Sequence, residues 1–161
     1  MLIEMSIKGL MVDPATNTPI VILREESGAR VLPIWVGLFE ANAIALQIEN
    51  VATRRPMTHD LLRNVIHDLN ATVEKIVVAD IEESTFYALI YLRLNGQSVA
   101  IDARPSDAIA LALRARAPIF VEDAVFEHAK PFEMGAERPD AERLQRWLEG
   151  LDPDELGKYK M

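Results

Sequence analysis

The sequence predicts a single α+β domain in which a mostly antiparallel sheet is packed against helices. A length of 161 residues is typical of one domain with its own hydrophobic core. Half of the residues are hydrophobic and 26% are charged, which is the composition of an ordinary globular protein. Strand-like runs come in two groups of three, and a helix-like run follows each group.

The first group of strands occupies the N-terminal part of the chain. Its strands are predicted at residues 2–12, 19–23 and 30–36, where apolar residues alternate with polar ones or form short continuous runs. Pro33 has no backbone N–H to donate, so the third strand is predicted at a sheet edge or an irregularity. An alanine- and leucine-rich helix is predicted to follow over residues 38–49.

A second helix is predicted over residues 58–69, between the two groups of strands. Thr58 is a favourable N-cap, and Asp60 places a negative charge in the first turn, where the helix dipole stabilises it. Apolar side chains recur with the helical period. They are Leu61, Leu62, Val65, Ile66 and Leu69.

The second group of strands is predicted at residues 72–82, 85–94 and 98–102. Asn95-Gly96, between the last two strands, indicates a tight hairpin. The next helix is predicted to begin near Pro105, because proline is favoured at the first helical position. That helix is apolar nearly all round, which predicts that it is buried. Residues 118–121 are predicted to form a short edge strand.

The predicted domain covers residues 1–131, and residues 132–161 are predicted to be a linker and a C-terminal helical tail. Composition changes over residues 131–139, and residues 140–151 have the pattern of a short amphipathic helix. The domain boundary is therefore placed at this change.

A short internal match suggests a duplicated βββα unit. Residues 43–46 and 108–111 share the string Ala-Ile-Ala-Leu, and three strands precede a helix in both places. In this alignment Gly37 and Asn42 correspond to Asp102 and Asp107. The acidic pair is therefore present only in the second copy.

Composition and charge limit the classes of function. The chain has no cysteine, which excludes disulfides, thiolate metal sites and cysteine nucleophiles. It lacks a secretory signal pattern and a run of about 20 apolar residues, so we expect a cytoplasmic protein without a membrane segment. The net charge of −8 disfavours tight, metal-free binding of nucleic acid, because such binding relies on basic groups.

The segment from Asp102 to Asp107 is the first candidate site. It is predicted to turn from a strand into a helix and so to bring its two carboxylates to one edge of the sheet. Two carboxylates can hold a divalent cation such as Mg²⁺, and Arg104 is suited to phosphate. The alternative is structural: Ser106 and Asp107 stabilise the helix start, and Arg104 pairs with a nearby acid.

Residues near the starts of the other two helices could complete this site. His59 could act as a general base or a metal ligand, next to Asp60; the alternative is a surface histidine on a capped helix. Arg55 lies in the basic pair before this helix, where an anion would be favoured. Glu40 could add a third carboxylate or only interact with the helix dipole. Two aromatic side chains could stack on bases or pack in a core or dimer interface. They are Trp35 and Phe39.

Three strings resemble, in order, the signature blocks of the bifunctional nuclease domain family. They are Val31-Leu-Pro-Ile-Trp-Val-Gly37 with Glu40-Ala41, then Arg55-Pro-Met-Thr-His-Asp-Leu61, then Asp102-Ala-Arg-Pro-Ser-Asp-Ala-Ile-Ala-Leu111. The resemblance covers about residues 1–130. It implies an α+β fold, a homo-oligomer with a dimer favoured, and cleavage of both RNA and DNA with little sequence preference.

The leading hypothesis is a phosphodiesterase assisted by Mg²⁺ or Mn²⁺. Metal ligands are expected among three acids: Glu40, Asp102 and Asp107. His59 and Asp60 are expected to take part in catalysis, and three residues are expected to bind substrate: Arg55, Arg104 and Ser106. The rival hypothesis is a non-enzymatic homo-oligomeric module that binds a protein partner or a small anionic ligand.

Overall fold

The computed structural model describes residues 1–27 and 30–129, which form seven strands and four helices. The strands are β1 (Leu2–Val12), β2 (Pro19–Glu25), β3 (Val31–Trp35), β4 (Thr72–Glu82), β5 (Thr85–Leu94), β6 (Gln97–Ala103) and β7 (Ile119–Glu122). The helices are α1 (Leu38–Ile48), α2 (Thr58–Asp68), α3 (Pro105–Ala115) and α4 (Asp123–His128). The predicted α+β class is confirmed.

All seven strands form one sheet, in the order β3-β2-β1-β7-β4-β5-β6. Strands β1–β3 and β4–β6 are two antiparallel meanders, which repeat the order of elements seen in the sequence. Strand β7 lies between them, antiparallel to β1 and parallel to β4. The two groups of strands therefore run outward from a shared central strand.

The position of β7 corrects the prediction of an edge strand at residues 118–121. Hydrogen bonding to β1 on one side and β4 on the other makes it central. A four-residue run resembles an edge strand in sequence because its two neighbours lie far away along the chain. The prediction for β3 is confirmed: it is an edge strand, and Pro33 lies opposite Ile22 of β2.

The hairpin between β5 and β6 is confirmed. Asn95 and Gly96 have φ angles of 52° and 77°, the left-handed backbone that a tight hairpin turn requires. Leu94 and Gln97 face each other at the ends of the two strands. The turn thus fixes the register of β6, the strand that leads into the candidate site.

The core lies between one face of the sheet and helices α1 and α3, which also pack on each other. The predicted burial of α3 is confirmed: five consecutive residues are almost inaccessible to solvent. They are Ala108, Ile109, Ala110, Leu111 and Ala112. Small alanine side chains let α3 approach both α1 and the sheet closely.

Helix α2 begins differently from its prediction, and it leaves an apolar surface uncovered. Its N-cap is Met57 rather than Thr58, and the Asp60 carboxylate accepts the Met57 backbone N–H at 2.9 Å. Most of its apolar stripe is exposed, with only Ile66 packed against the core. The exposed members are Leu61, Leu62, Val65 and Leu69. The core is already covered by α1 and α3, which leaves this face of α2 open.

Helix α4 packs on β4 and β7 and was not predicted from the sequence. The predicted linker and helical tail, residues 132–161, lie outside the described residues. Within residues 1–27 and 30–129, no helix has the length and apolarity needed to cross a membrane.

Candidate active site

A sharp turn from β6 into α3 supplies two of the site residues. β6 ends at Ala103, Arg104 is the N-cap with extended backbone angles, and Pro105 is the first helical residue. Proline suits that position because its missing N–H would have no helical partner. Asp107 follows in the first turn, so its carboxylate comes back to the Arg104 side chain, which is the arginine–acid pairing of the structural alternative.

Arg104 links acids from two helices. Its Nε donates to Asp107 Oδ2 at 2.9 Å, and its Nη2 donates to Glu40 Oε1 of α1 at 2.6 Å. The hydrogen bond to Asp107, followed by the one to Glu40, raises the pKa of Arg104 above its already high ordinary value. The guanidinium is therefore permanently cationic and holds the two carboxylates on either side of it.

Glu40 reaches Arg104 because the residue that caps α1 is glycine. The Glu40 side chain folds back over Gly37, and a Cβ atom placed on Gly37 would collide with its carboxylate. Gly37 has an ordinary extended backbone, so the space left by the missing side chain is what matters here. This role of Gly37 was not predicted from the sequence, since no local pattern signals that the Glu40 side chain approaches it closely.

His59, in the first turn of α2, completes the cluster. Its Nε2 lies 2.9 Å from Asp107 Oδ1, and the ring is buried. Asp107 thus contacts His59 with one oxygen and Arg104 with the other. The structure does not favour a surface histidine at this position: residue 59 is the only buried residue of α2.

Asp60 points away from this cluster and forms an ion pair with Arg114 of α3. Arg114 Nε donates to Asp60 Oδ1 at 2.6 Å, and its Nη2 and Nη1 donate to the carbonyls of Ala43 and Ala110. Burial by itself would raise the pKa of Asp60, but the Met57 amide and Arg114 outweigh it and lower that pKa. The sequence signal that could have predicted this contact is Arg114 itself, the single arginine in the apolar second half of α3.

The cluster forms part of the wall of a pocket of about 680 Å³ between α1, α2, α3 and the end of the sheet. That volume is in the range of small-molecule sites. Apolar side chains make up most of the lining, among them Leu62, Ile66, Leu92 and Ile101. Phe39 stands at the pocket with 86% of its surface exposed, so it is not a core residue. It is available for stacking or for an interface.

The remaining predicted residues lie outside the hydrogen-bonded cluster. Asp102 lines the pocket but, among the described residues, its side chain makes no hydrogen bond or ion pair. Ser106 is buried in the first turn of α3 and does not line this pocket. Arg55 is exposed and does not line it either. Trp35 is half-exposed and donates to Asp13 from Nε1 at 3.1 Å.

The side chains around the pocket include the oxygen donors that a divalent metal prefers. Three carboxylates border the pocket, but Arg104 lies between Glu40 and Asp107. Across the described part of the chain, no three acid or histidine side chains converge on a common point. With Arg104 between two of the acids, the described residues form no three-ligand metal site, and the predicted Mg²⁺ or Mn²⁺ stays a prediction.

A buried histidine oriented by a carboxylate, beside a cation in an open pocket, is typical of proteins that move protons on charged substrates. A sequence model of the Bifunctional nuclease domain matches residues 21–133. "Uncharacterized protein Rv1829" from Mycobacterium tuberculosis (strain ATCC 25618 / H37Rv) is 40% identical over 162 residues, covering 95% of this chain and 97% of that protein. The chain therefore belongs to the bifunctional nuclease domain family.

Plant members of the family are more distant. "Bifunctional nuclease 1" from Arabidopsis thaliana is 28% identical over 116 residues, covering 70% of this chain and 36% of that protein. "Bifunctional nuclease 1" from Oryza sativa subsp. indica is 25% identical over 112 residues, covering 68% and 34%. The chain thus spans only about a third of the length of these named nucleases.

Proposed function

We propose that the protein is a nuclease that hydrolyses phosphodiester bonds of RNA and DNA with little sequence preference. The observation that carries the proposal is the hydrogen-bonded series Glu40, Arg104, Asp107 and His59 in the wall of one pocket. Membership of the bifunctional nuclease domain family and the names of the plant relatives support the reaction class.

His59 is the proposed general base and acid. With the proton of the neutral ring on Nε2, His59 donates to Asp107, and Nδ1 is left with a free lone pair. Nδ1 takes a proton from the water molecule that attacks phosphorus. The bond from phosphorus to the leaving oxygen breaks, and the imidazolium returns the proton to that oxygen. Asp107 fixes the tautomer and stabilises the imidazolium.

Arg104 is the proposed phosphate contact. Its Nε and Nη2 are engaged with Asp107 and Glu40, which leaves Nη1 for a phosphate oxygen. The side chain is 65% exposed and lines the pocket, so a substrate can reach it. Two anchored nitrogens hold the planar guanidinium in one orientation, which reduces the ordering needed on binding.

Metal assistance belongs to the same proposal because the site carries excess negative charge. Its three carboxylates and one arginine give a formal charge of −2 with His59 neutral, which repels a phosphodiester. The acids in question are Glu40, Asp102 and Asp107. A divalent cation such as Mg²⁺ or Mn²⁺ would offset this repulsion. No chemical step is assigned to the metal, since the acids do not converge.

Cleavage assays with purified protein test the nuclease proposal. Labelled single-stranded RNA and DNA are incubated with Mg²⁺, with Mn²⁺ and with excess chelator. We expect both the RNA and the DNA to be cut. The metal should increase the rate of cleavage, and the chelator should lower it. His59→Ala and Asp107→Asn are expected to lower kcat by about 10² to 10⁴, the usual contribution of a general acid or base.

His67→Ala is the matched control, because His67 is an exposed histidine on the same helix and does not line the pocket. It should retain parental activity. If His59→Ala and Asp107→Asn cleave as fast as the parent, the site assignment is wrong and a contaminating nuclease is indicated. If neither the RNA nor the DNA is cut with Mg²⁺ or with Mn²⁺, the rival hypothesis of a non-enzymatic binding module is favoured.

We also propose a cytoplasmic homo-oligomer, with a dimer as the simplest closed arrangement. Two neighbouring features support association. Among residues 1–27 and 30–129, the apolar stripe of α2 is exposed, and β6 is an edge strand with Val99 and Ile101 exposed. An open apolar helix face beside an unpaired strand edge is a surface that soluble proteins commonly cover.

A further inference from the structure

A second cleft lies on the other side of the first turn of α2. It has a volume of about 340 Å³ and is bordered by the end of α1, the segment before α2, and one side of α2. His59 lines the candidate active site and Asp60, the next residue, lines this cleft. Leu46 borders both. We name it the arginine cleft, after Arg54, Arg63 and Arg114 in its lining.

The charge of the arginine cleft is opposite to that of the whole chain. Its three arginines and one aspartate give a formal charge of +2, whereas the chain carries −8. The aspartate, Asp60, is already paired with Arg114, and its lowered pKa keeps it ionised. The positive charge that remains available therefore belongs to Arg54 and Arg63.

Neither of these two guanidinium groups has an acidic partner within ion-pair distance in the described part of the chain. Arg54 is exposed and makes no side-chain hydrogen bond. Arg63 donates from Nε and Nη2 to the neutral Asn64 Oδ1, at 3.2 and 2.9 Å. A phosphate oxygen is a stronger acceptor than an amide oxygen and fits the same two-pronged donor geometry.

The lining also indicates which kind of phosphate group would suit the cleft. It contains no aromatic side chain on which a base could stack, whereas Phe39 is at the candidate active site. A site that contacts phosphate but offers no aromatic side chain for base stacking recognises the nucleic-acid backbone and does not discriminate between base sequences. The two pockets flank one helical turn, and a helix with its side chains is about 10–12 Å across, so a strand leaving the first could reach the second within a few nucleotides.

We propose that the arginine cleft binds one backbone phosphate of a nucleic-acid strand whose neighbouring phosphodiester occupies the candidate active site. The identity of this strand as the substrate rests on the proposed nuclease function. Arg54 and Arg63 hold the phosphate, and Arg114 stays with Asp60. The cleft would supply the local positive charge that an acidic protein needs to hold a polyanion.

Binding of a fluorescent 12-nucleotide single-stranded DNA tests the proposal directly. Anisotropy is measured over a range of NaCl concentrations in the His59→Ala background, with the strand checked for integrity on a gel. Adding Arg54→Gln and Arg63→Gln together should weaken binding about tenfold or more at low salt. It should also reduce the slope of log K against log salt by about 0.7, the value for one phosphate.

Arg116→Gln is the matched control, because Arg116 is an exposed arginine that lines neither pocket. It should bind like the His59→Ala parent. An unchanged affinity and slope in the double variant would overturn the proposal. So would a mononucleotide or inorganic phosphate that competes at the same concentration as the 12-mer, because that result identifies a free phosphate ligand instead.

A kinetic measurement separates this proposal from the nuclease function. In the otherwise unsubstituted protein, Arg54→Gln with Arg63→Gln should raise KM for the 12-mer with kcat held, and leave cleavage of a dinucleotide unchanged. If the protein cuts no nucleic acid but its binding of the 12-mer depends on the two arginines, the nuclease proposal is wrong and the arginine-cleft proposal is confirmed. If cleavage is normal but binding does not depend on the two arginines, the arginine-cleft proposal is wrong and the nuclease proposal is supported.

Discussion

Asp107 uses both of its carboxylate oxygens, one for His59 and one for Arg104. A single side chain thus sets the position of the proposed base and of the proposed phosphate contact. Glu40 acts on Arg104 alone, so its removal disturbs only one of the two functions. At the scale of single residues, the site is therefore most sensitive at Asp107.

Gly37→Ala tests whether the space at Gly37 lets the Glu40 side chain reach Arg104. The added methyl group would collide with the Glu40 carboxylate, which must then shift, and we expect this shift to break its hydrogen bond to Arg104. Losing one charge-assisted hydrogen bond, worth about 1.5 kcal/mol, should lower kcat/KM roughly tenfold. Steady-state kinetics and thermal unfolding measure the effect, with little change expected in Tm. Gly9→Ala is the control, because nothing lies within 4 Å of a Cβ there. An equal loss in both variants contradicts the prediction.

Polar contacts anchor helix α2 near its start, where it carries His59. Arg114, with its side chain only 3% exposed, bonds to Asp60 of α2, to the Ala43 carbonyl of α1 and to the Ala110 carbonyl of α3. Three helices are joined by one buried guanidinium. Because most of the apolar face of α2 is uncovered, this contact is a main reason why α2 keeps its place.

Asp60→Asn should destabilise the fold by about 3 kcal/mol at pH 7, because it leaves the Arg114 charge without its partner. The folded-state pKa of Asp60 is lowered, so its contribution is complete above the unfolded-state pKa, about 3.9. The contribution is lost as pH falls through the folded pKa. The difference between parent and variant should therefore shrink in acid.

Urea unfolding at pH 7, 4 and 2.5 measures that difference. Asp68→Asn is the control, because Asp68 is an exposed acid at the end of the same helix. It should change stability by less than about 0.5 kcal/mol, as expected for a surface position. A variant of Asp60 as stable as the parent at pH 7 would show that the Arg114 contact contributes nothing.

At the scale of the whole molecule, the sheet unites two meanders through β7, and the helices of both halves meet on one face. The starts of α1, α2 and α3 come together there, which assembles residues from positions 40, 59, 104 and 107. The exposed side of α2 and the edge strand β6 border the site. Site and open surface therefore adjoin.

Light scattering coupled to gel filtration tests the proposed homo-oligomer. We expect a dimer for the parent and a monomer for Val65→Asp, because a charge on the exposed stripe of α2 opposes its burial. Tyr87→Asp is the control: Tyr87 is also exposed but lies on β5, on the face away from the helices. A monomeric parent at tens of micromolar, or monomers from both variants, contradicts this interface.

The sequence by itself determined the features that depend on local physics. Alternation located β1, the Asn95-Gly96 pair indicated the hairpin, and Pro105 marked the start of α3. Pro33 marked an edge strand because it has no N–H to donate. The strand-to-helix turn that brings Arg104 to Asp107 is also local, because the two partners are three residues apart, and that turn was predicted.

Only the tertiary structure decided the contacts between distant segments. His59 meets Asp107 across 48 residues, and Asp60 meets Arg114 across 54, so adjacent side chains of α2 point to different partners. The central place of β7 and the open face of α2 were likewise undetermined. Propensity and period describe one segment at a time, whereas these features follow from which segments pack first against a shared core.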